Sequence, residues 1–286
     1  MCRLFGLSGG AEPVSARIWL LEAPDSLAAQ SHHNPDGTGL GIFAGRWPVV
    51  HKAPIAAFDD AAFAREAREE RSPSFLAHIR FASTGAKTIE NTHPFEQDGR
   101  LFAHNGVLTG LGQIEAELGA DTALLQGQTD SERLFALITH EVRGNGGDVR
   151  AGIIAAVSWI VANVPLYSLN LLLTTPTELF ALRYPDTNTL YLLERPAGGG
   201  DGSGALHHHS SLGTSVRSKE AAARPVVVVA SERMDDDPGW REISPGELVH
   251  VDENLAVHSE IAFPDPPAQM IDLHHLDEHA RSSQGK

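Results

Sequence analysis

Short runs rich in Leu, Val, Ile and Phe, closed at their ends by Gly, Pro, Asn or Asp, recur at 3–8, 39–43, 48–52, 75–82 and 100–103. They return at 169–174, 178–184, 189–194, 225–230, 247–251 and 256–261. Runs of that length and composition read as strands. Between the two groups the periodicity is helical, at 112–118, 130–142 and 148–162, with one earlier helix at 58–69. Strands, then helices, then strands again exclude a regular βαβ alternation and predict sheets covered by helices within one domain. In the helix predicted over 130–142, Leu134, Phe135, Leu137, Ile138 and Val142 form an apolar stripe, and Thr129 with Glu132 reads as a capping-box start.

Two stretches break the pattern. Residues 196–223 pass through Gly198, Gly199, Gly200, Gly202 and Gly204 into a Ser-rich segment and read as a mobile surface loop. Residues 263–286 open with Pro264, Pro266 and Pro267 and end polar, which predicts a poorly ordered tail.

Charge and cysteine usage narrow the function classes. With 22 basic against 37 acidic residues the net charge is −15, which argues against nucleic-acid and anionic-membrane partners. No charged residue lies between Arg150 and Glu178, yet Asn163, Pro165, Ser168 and Asn170 interrupt that window. A buried helix followed by a buried strand fits it better than a membrane span, which needs about 20 predominantly apolar residues in one helix. Cys2 is the single cysteine, so an intramolecular disulfide and a thiolate metal cluster are excluded and a cytoplasmic location is expected. Residues 1–10 carry no apolar run of signal-peptide length.

The position of Cys2 has chemical content. Removal of the initiator Met would make it the N-terminus, with a thiol and a free α-amine on one residue. The amine titrates at about 7.7–8.0 and the thiol at about 8.5, so the amine can serve as base for the thiol. The competing reading is an incidental cysteine in a first strand.

Arg80, in His78-Ile79-Arg80-Phe81-Ala82-Ser83-Thr84-Gly85, leaves a predicted strand into a polar turn. Its guanidinium fork suits a carboxylate, with Ser83 or Thr84 adding hydroxyls, unless it forms a structural salt bridge. Asn105-Gly106 follows the run at 100–103. It reads either as a tight turn or as an oxyanion site, with an amide donor from Asn105 and close backbone approach at Gly106. Asp130 opens a helix, where a carboxylate is favoured whether or not it also faces a ligand ammonium. The turn 34–41, Asn-Pro-Asp-Gly-Thr-Gly-Leu-Gly, lacks the Lys and helix start of a phosphate cradle.

Taken in order, Met1-Cys2-Arg3-Leu4-Phe5-Gly6, the Asp36-Gly37-Thr38-Gly39 turn, His78-Ile79-Arg80, Thr92-His93-Pro94-Phe95, His104-Asn105-Gly106 and Gln128-Thr129-Asp130-Ser131-Glu132 resemble the class II glutamine amidotransferase domain, a branch of the N-terminal nucleophile hydrolases. Ala230-Ser231-Glu232, followed by Asp235-Asp236-Asp237-Pro238-Gly239-Trp240, is similar to the stand-alone γ-glutamyl amidases of that family. The resemblance covers about residues 2–262.

It implies an α+β fold, a four-layer αββα sandwich of two antiparallel sheets. It also implies Cys2 as nucleophile with its own α-amine as base, Asn105 and Gly106 as oxyanion hole, Arg80 on the α-carboxylate of a glutamyl substrate and Asp130 on its α-ammonium. Ser83 stands where the family usually has Thr and preserves the hydroxyl. Thr38 stands where stand-alone members often have an aromatic residue, which leaves the leaving group open.

The implied function is hydrolysis of a γ-glutamyl amide, glutamine or a γ-glutamyl small molecule, through a Cys2 thioester, with glutamate released and no cofactor. The alternatives are a glutaminase subunit passing ammonia to a separate synthetase partner, and a non-catalytic glutamyl-metabolite binding protein. His207, His208 and His209, with His274, His275 and His279, do not read as a metal site, because adjacent His side chains in a strand face opposite ways. Asp235–Asp237 reads as a solvated turn.

Overall fold

Side chains alternate across a strand, so a strand buried on both faces must be apolar at every position. The first strand, β1 (Arg3–Ser8), meets that condition from Leu4 to Leu7. Its Phe5 and Leu7 pack outward with Leu40, Ile42 and Phe75, and its Leu4 packs inward with Leu76, Leu101 and Leu172. The same double burial recurs in the central strands that follow, while the edge strands stay partly exposed. The computed structural model describes residues 2–23, 25–81, 85–198 and 223–276, Arg281, and the backbone of 206–209 and 215–218.

After β1 come a π-helical turn (Ile18–Glu22), α1 (Leu27–Gln30), β2 (Gly37–Ala44), β3 (Trp47–Ala53), α2 (Ala61–Glu69), β4 (Ser74–Arg80), β5 (Phe95–Gln97) and β6 (Arg100–Leu108). The middle of the chain supplies α3 (Leu111–Leu118), α4 (Asp130–Gly144) and α5 (Val149–Asn163). Strands return as β7 (Leu166–Thr174), β8 (Leu179–Leu182), β9 (Tyr191–Arg195), β10 (Leu206–His209), β11 (Ser215–Ser218), β12 (Val226–Ala230), β13 (Arg241–Glu242), β14 (Glu247–Val251) and β15 (Val257–Ile261).

They form a seven-stranded sheet in the order β13-β9-β12-β1-β4-β2-β3 and a six-stranded sheet in the order β15-β14-β8-β7-β6-β5, with every pairing antiparallel. Leu4, Leu76, Leu101, Ala103, Leu172, Val227, Val229 and Val249 fill the space between the sheets. The outer face of the first sheet is covered by the π-turn, α1 and α2 through Trp19, Leu27 and Phe63; that of the second is covered by α3, α4 and α5 through Ile114, Phe135 and Ile153. The expected αββα sandwich is therefore the observed one.

The uncharged window resolves as expected into α5 and β7, and no helix among the described residues is long and apolar enough to cross a membrane. Elsewhere the structure departs from the sequence reading. The helix predicted from residue 58 starts at Ala61, because Asp60 caps it by accepting from the N–H groups of Ala62 and Phe63. The α4 start is half a capping box. Thr129 Oγ1 accepts from Glu132 N, but the Glu132 carboxylate turns instead to Gln126 N and Gly127 N, both at 2.7 Å.

Within 196–223, β10 and β11 pair as a hairpin. Residues 263–276 pack back on the domain. Leu166 bonds Gln269 and Ile271 through its backbone, and Phe263 and Leu276 are buried. The prolines prevent a regular strand there, while the apolar side chains still find sites in the core.

Candidate functional site

Strand parity brings the predicted residues together. Cys2 precedes β1 in the same inward phase as Leu4, Arg80 ends β4 in phase with Leu76, and Asn105 lies on β6 in phase with Leu101 and Ala103. All three thus lie between the sheets at one end of the sandwich. The Cys2 sulfur is 3.2 Å from both backbone polar atoms of Phe81, accepting from its N–H and donating to its carbonyl. Burial pushes the thiol up from its ordinary value, opposed by the Phe81 N–H and the Arg80 charge and reinforced by the Asp130 carboxylate. Burial thus works against an unassisted thiolate.

Asn105 and Gly106 do not form a turn. Strand β6 runs through them to Leu108, with Asn105 opposite Asn170 and Gly106 opposite Leu169. Glycine is required here for contact, because a Cβ would overlap the Ser168 carbonyl and the His104 ring. Asn105 Nδ2 donates to the Cys2 carbonyl oxygen at 3.1 Å and so links the two sheets beside the sulfur.

Arg80 and Asp130 supply opposite charges at the same end. The Arg80 guanidinium donates to the carbonyls of Ala86 at 3.0 Å and Gly85 at 3.2 Å, in a turn made possible by Gly85 at φ +73°. Burial lowers its pKa against the opposing pull of Cys2, Asp36 and Asp130. The Asp130 carboxylate accepts from Leu108 N and Ser131 N, both at 2.9 Å, which fixes the first turn of α4 against the end of β6. Ser83 lies outside the described residues.

Thr38 faces away from this space. Its hydroxyl donates to the Ile55 carbonyl, and its partner in the sheet is the outward-facing Ile79. Gly37 and Gly39 provide room rather than a phosphate cradle, since a Cβ on Gly39 would overlap the His93 carbonyl.

Several contributors were not singled out from sequence. Lys87 forms an ion pair with the buried Asp36, whose backbone N–H donates to the Arg80 carbonyl at 3.1 Å. Three histidines are buried nearby: His78 and His93 pack against each other next to Arg80, and His104, on the opposite face of β6 from Asn105, has its Nδ1 2.9 Å from the Ser131 hydroxyl on α4. The motifs containing them were visible, but their convergence was not. Asn91, immediately before Thr92-His93-Pro94-Phe95, bonds two separate loops.

Asp235–Asp237 corrects a prediction. Asp235 and Asp237 bind the buried Arg195 at 2.6 and 3.0 Å, and Trp240 Nε1 donates to Asp235, so the run is mostly an internal ion network rather than a solvated turn. Among the described residues no group of three His, Cys, Asp or Glu side chains is arranged to hold a metal ion. His207–His209 side chains and His279 fall outside them.

Comparison with known proteins agrees with this fold. The family profile "Glutamine amidotransferases class-II" matches residues 1–269. The γ-glutamyl-hercynylcysteine sulfoxide hydrolase of Mycobacterium tuberculosis H37Rv is 28% identical over 88% of this chain and 93% of its own length. The putative glutamine amidotransferase YafJ of Escherichia coli K12 is 27% identical over 86% of this chain and 96% of its own.

Among solved structures, a glutamine aminotransferase class-II domain protein from Silicibacter pomeroyi superposes with a TM-score of 0.57 at 20% identity, covering 92% of this chain and all of that one. The glutamine phosphoribosylpyrophosphate amidotransferase of B. subtilis gives 0.63 at 20% identity over 93% of this chain, which spans 50% of that enzyme's length.

Proposed function

The chain belongs to the class II glutamine amidotransferases and is an enzyme of the N-terminal nucleophile amidohydrolase type, and from that premise we propose that it cleaves a γ-glutamyl amide through a thioester on Cys2. In this reading Met1 is removed and the freed α-amine takes the thiol proton. The sulfur then attacks the γ-carbonyl carbon. Negative charge collects on the carbonyl oxygen, where the Asn105 side-chain amide and the Gly106 N–H donate. Collapse of the tetrahedral intermediate breaks the C–N bond, and the α-ammonium returns the proton to the departing amine. Water, deprotonated by the same amine, cleaves the thioester and releases glutamate. Arg80 holds the substrate α-carboxylate and Asp130 its α-ammonium.

The single observation that carries this reading is the meeting of the Cys2 sulfur, the Asn105 amide and the opposite charges of Arg80 and Asp130 at one end of the sandwich. The raised thiol pKa supports a role for the α-amine, since a buried thiol gives up its proton less readily. Support for a small γ-glutamyl substrate comes from the M. tuberculosis relative, named for a γ-glutamyl compound.

The test is glutamate release from glutamine, glutathione and other γ-glutamyl small molecules by protein whose N-terminus is verified as Cys2. Turnover of at least one of them that Cys2→Ala abolishes is expected. Near-normal glutamate release by Cys2→Ala would remove the nucleophile.

A further inference from the structure

The groups read above as carboxylate and ammonium partners sit on different parts of the chain: Arg80 at the end of β4 and Asp130 at the start of α4. Recognition of two charges on one carbon requires their separation to be fixed. One buried side chain joins the loops that carry them. Asn91 is 2% exposed and lies in the irregular segment between β4 and β5. Its Nδ2 donates to the Ala86 carbonyl at 3.1 Å, the oxygen that also accepts from Arg80 Nη1. Its Oδ1 accepts from Gln128 N at 2.8 Å, two residues before Asp130.

The surrounding residues are shaped around this amide. A Cβ on Gly85 would lie 3.0 Å from Asn91 Nδ2, and one on Gly127 would lie 2.5 Å from Asn91 Oδ1, so both loops approach it through glycine. The Glu132 carboxylate accepts from Gln126 N and Gly127 N, so the 126–128 strap is held by Glu132 and Asn91 together. The position requires a donor at one end and an acceptor at the other. Aspartate would set a lone pair against the Ala86 carbonyl, and an apolar residue would leave the Gln128 N–H without its partner.

We propose that Asn91 is a positioning residue that sets the spacing between Arg80 and Asp130 and thereby the selectivity for a substrate bearing both an α-carboxylate and an α-ammonium. This rests on the amidase reading above. The Asn91 amide bonds the loops of Arg80 and Asp130 rather than the segment of Cys2 or strand β6, so its effect falls on binding of the glutamyl end rather than on bond cleavage.

The experiment compares Asn91→Asp and Asn91→Ala with the unaltered chain, each with a verified Cys2 terminus. Steady-state glutamate release is measured in the original and in an Arg80→Lys background, and calorimetry follows L-glutamine binding to the same variants carrying Cys2→Ala. The expected result is a rise of about tenfold or more in KM and in the calorimetric Kd, with kcat within about threefold and Cys2 alkylation by iodoacetamide unchanged. In the Arg80→Lys background the added effect of Asn91→Asp shrinks to about twofold, because residues acting through one network are not additive.

Unchanged KM, an equal loss in kcat, or full additivity with Arg80→Lys overturns the proposal. Should Asn91→Ala not accumulate as folded protein, Asn91→Asp, which keeps the side-chain shape and the acceptor for Gln128, carries the test. No glutamate release by the unaltered chain overturns the amidase reading alone. L-glutamine binding then still decides on Asn91, and absence of that binding overturns both.

Discussion

Asn105 Nδ2 donates to the Cys2 carbonyl oxygen across the gap between the two sheets, 103 residues apart in sequence and 3.1 Å apart in space. That bond uses one of the two amide hydrogens and orients the side chain, and the proposed oxyanion role would fall to the second. Asn105→Ala is therefore expected to lower kcat by roughly 10² to 10³, about 2.7–4 kcal/mol, with a much smaller change in KM. Kinetics and thermal melts on one preparation check this. A lower melting temperature with near-normal activity per folded molecule would make Asn105 a sheet-linking residue only.

A blocked terminus should silence the enzyme. An amide at the Cys2 nitrogen, from retained Met1 or an N-terminal tag, cannot accept the thiol proton, and a positioned base is worth about 10²- to 10⁴-fold. Turnover of a tagged chain is to be compared with the same protein after proteolytic exposure of Cys2. Equal rates would show that the α-amine takes no part.

Arg80→Lys and Asp130→Asn are expected to raise KM more than they lower kcat. In the proposed reading each would weaken a charge-assisted contact to the substrate's α-substituents, for which about 1.5–3 kcal/mol, or roughly 10- to 150-fold, is typical. Initial-rate curves on a γ-glutamyl substrate provide the check, and an unchanged KM in both variants would remove these residues from the binding site.

The strands were readable because each carries its own evidence, an apolar run between Gly, Pro, Asn or Asp. Asn105-Gly106 was ambiguous for the same reason. Locally the pair is a hairpin signal, and only the packing of Ser168 and His104 against Gly106 explains why a glycine lies inside β6. Cys2, Arg80 and Asp130 were marked by residue type at strand and helix ends. Asn91 was not, because its partners at 86 and 128 become neighbours only when the loops fold over one another. The aspartates at 235 and 237 looked solvated because Arg195, 40 residues away for the first of them, is invisible to any local pattern.

That ion network yields a prediction about stability without activity. Arg195 is buried between Asp235 and Asp237 and stacks over Trp19 at 5.5 Å. Arg195→Ala would strand a buried carboxylate and is expected to cost about 3–5 kcal/mol. Urea unfolding measures the loss, and kcat per folded molecule should hold. A cost under about 1 kcal/mol would mean that Asp235 is hydrated after all.

The buried histidines predict how the fold responds to acid. Burial pulls His78 down to about 3, with the Arg80 charge adding to it; it holds His93 well below its ordinary value and lowers His104. Neither ring nitrogen of His93 has a hydrogen-bond partner among the described residues, so protonation there brings no compensating bond. In the unfolded chain each histidine titrates near 6.5. Below that pH the unfolded state binds protons that the folded state refuses, so this contribution to stability is fully present above about pH 6.5. It is lost as pH falls toward the folded values, at up to about 1.4 kcal/mol per pH unit for each histidine. His93→Gln removes one of these sites. Unfolding free energies from urea titrations between pH 7 and 5, a range above most carboxylate titration, should give a slope shallower by up to about 1.4 kcal/mol per pH unit than that of the unaltered chain. An identical slope would show that His93 takes up its proton in the folded state, and that the interior next to Arg80 admits a second positive charge.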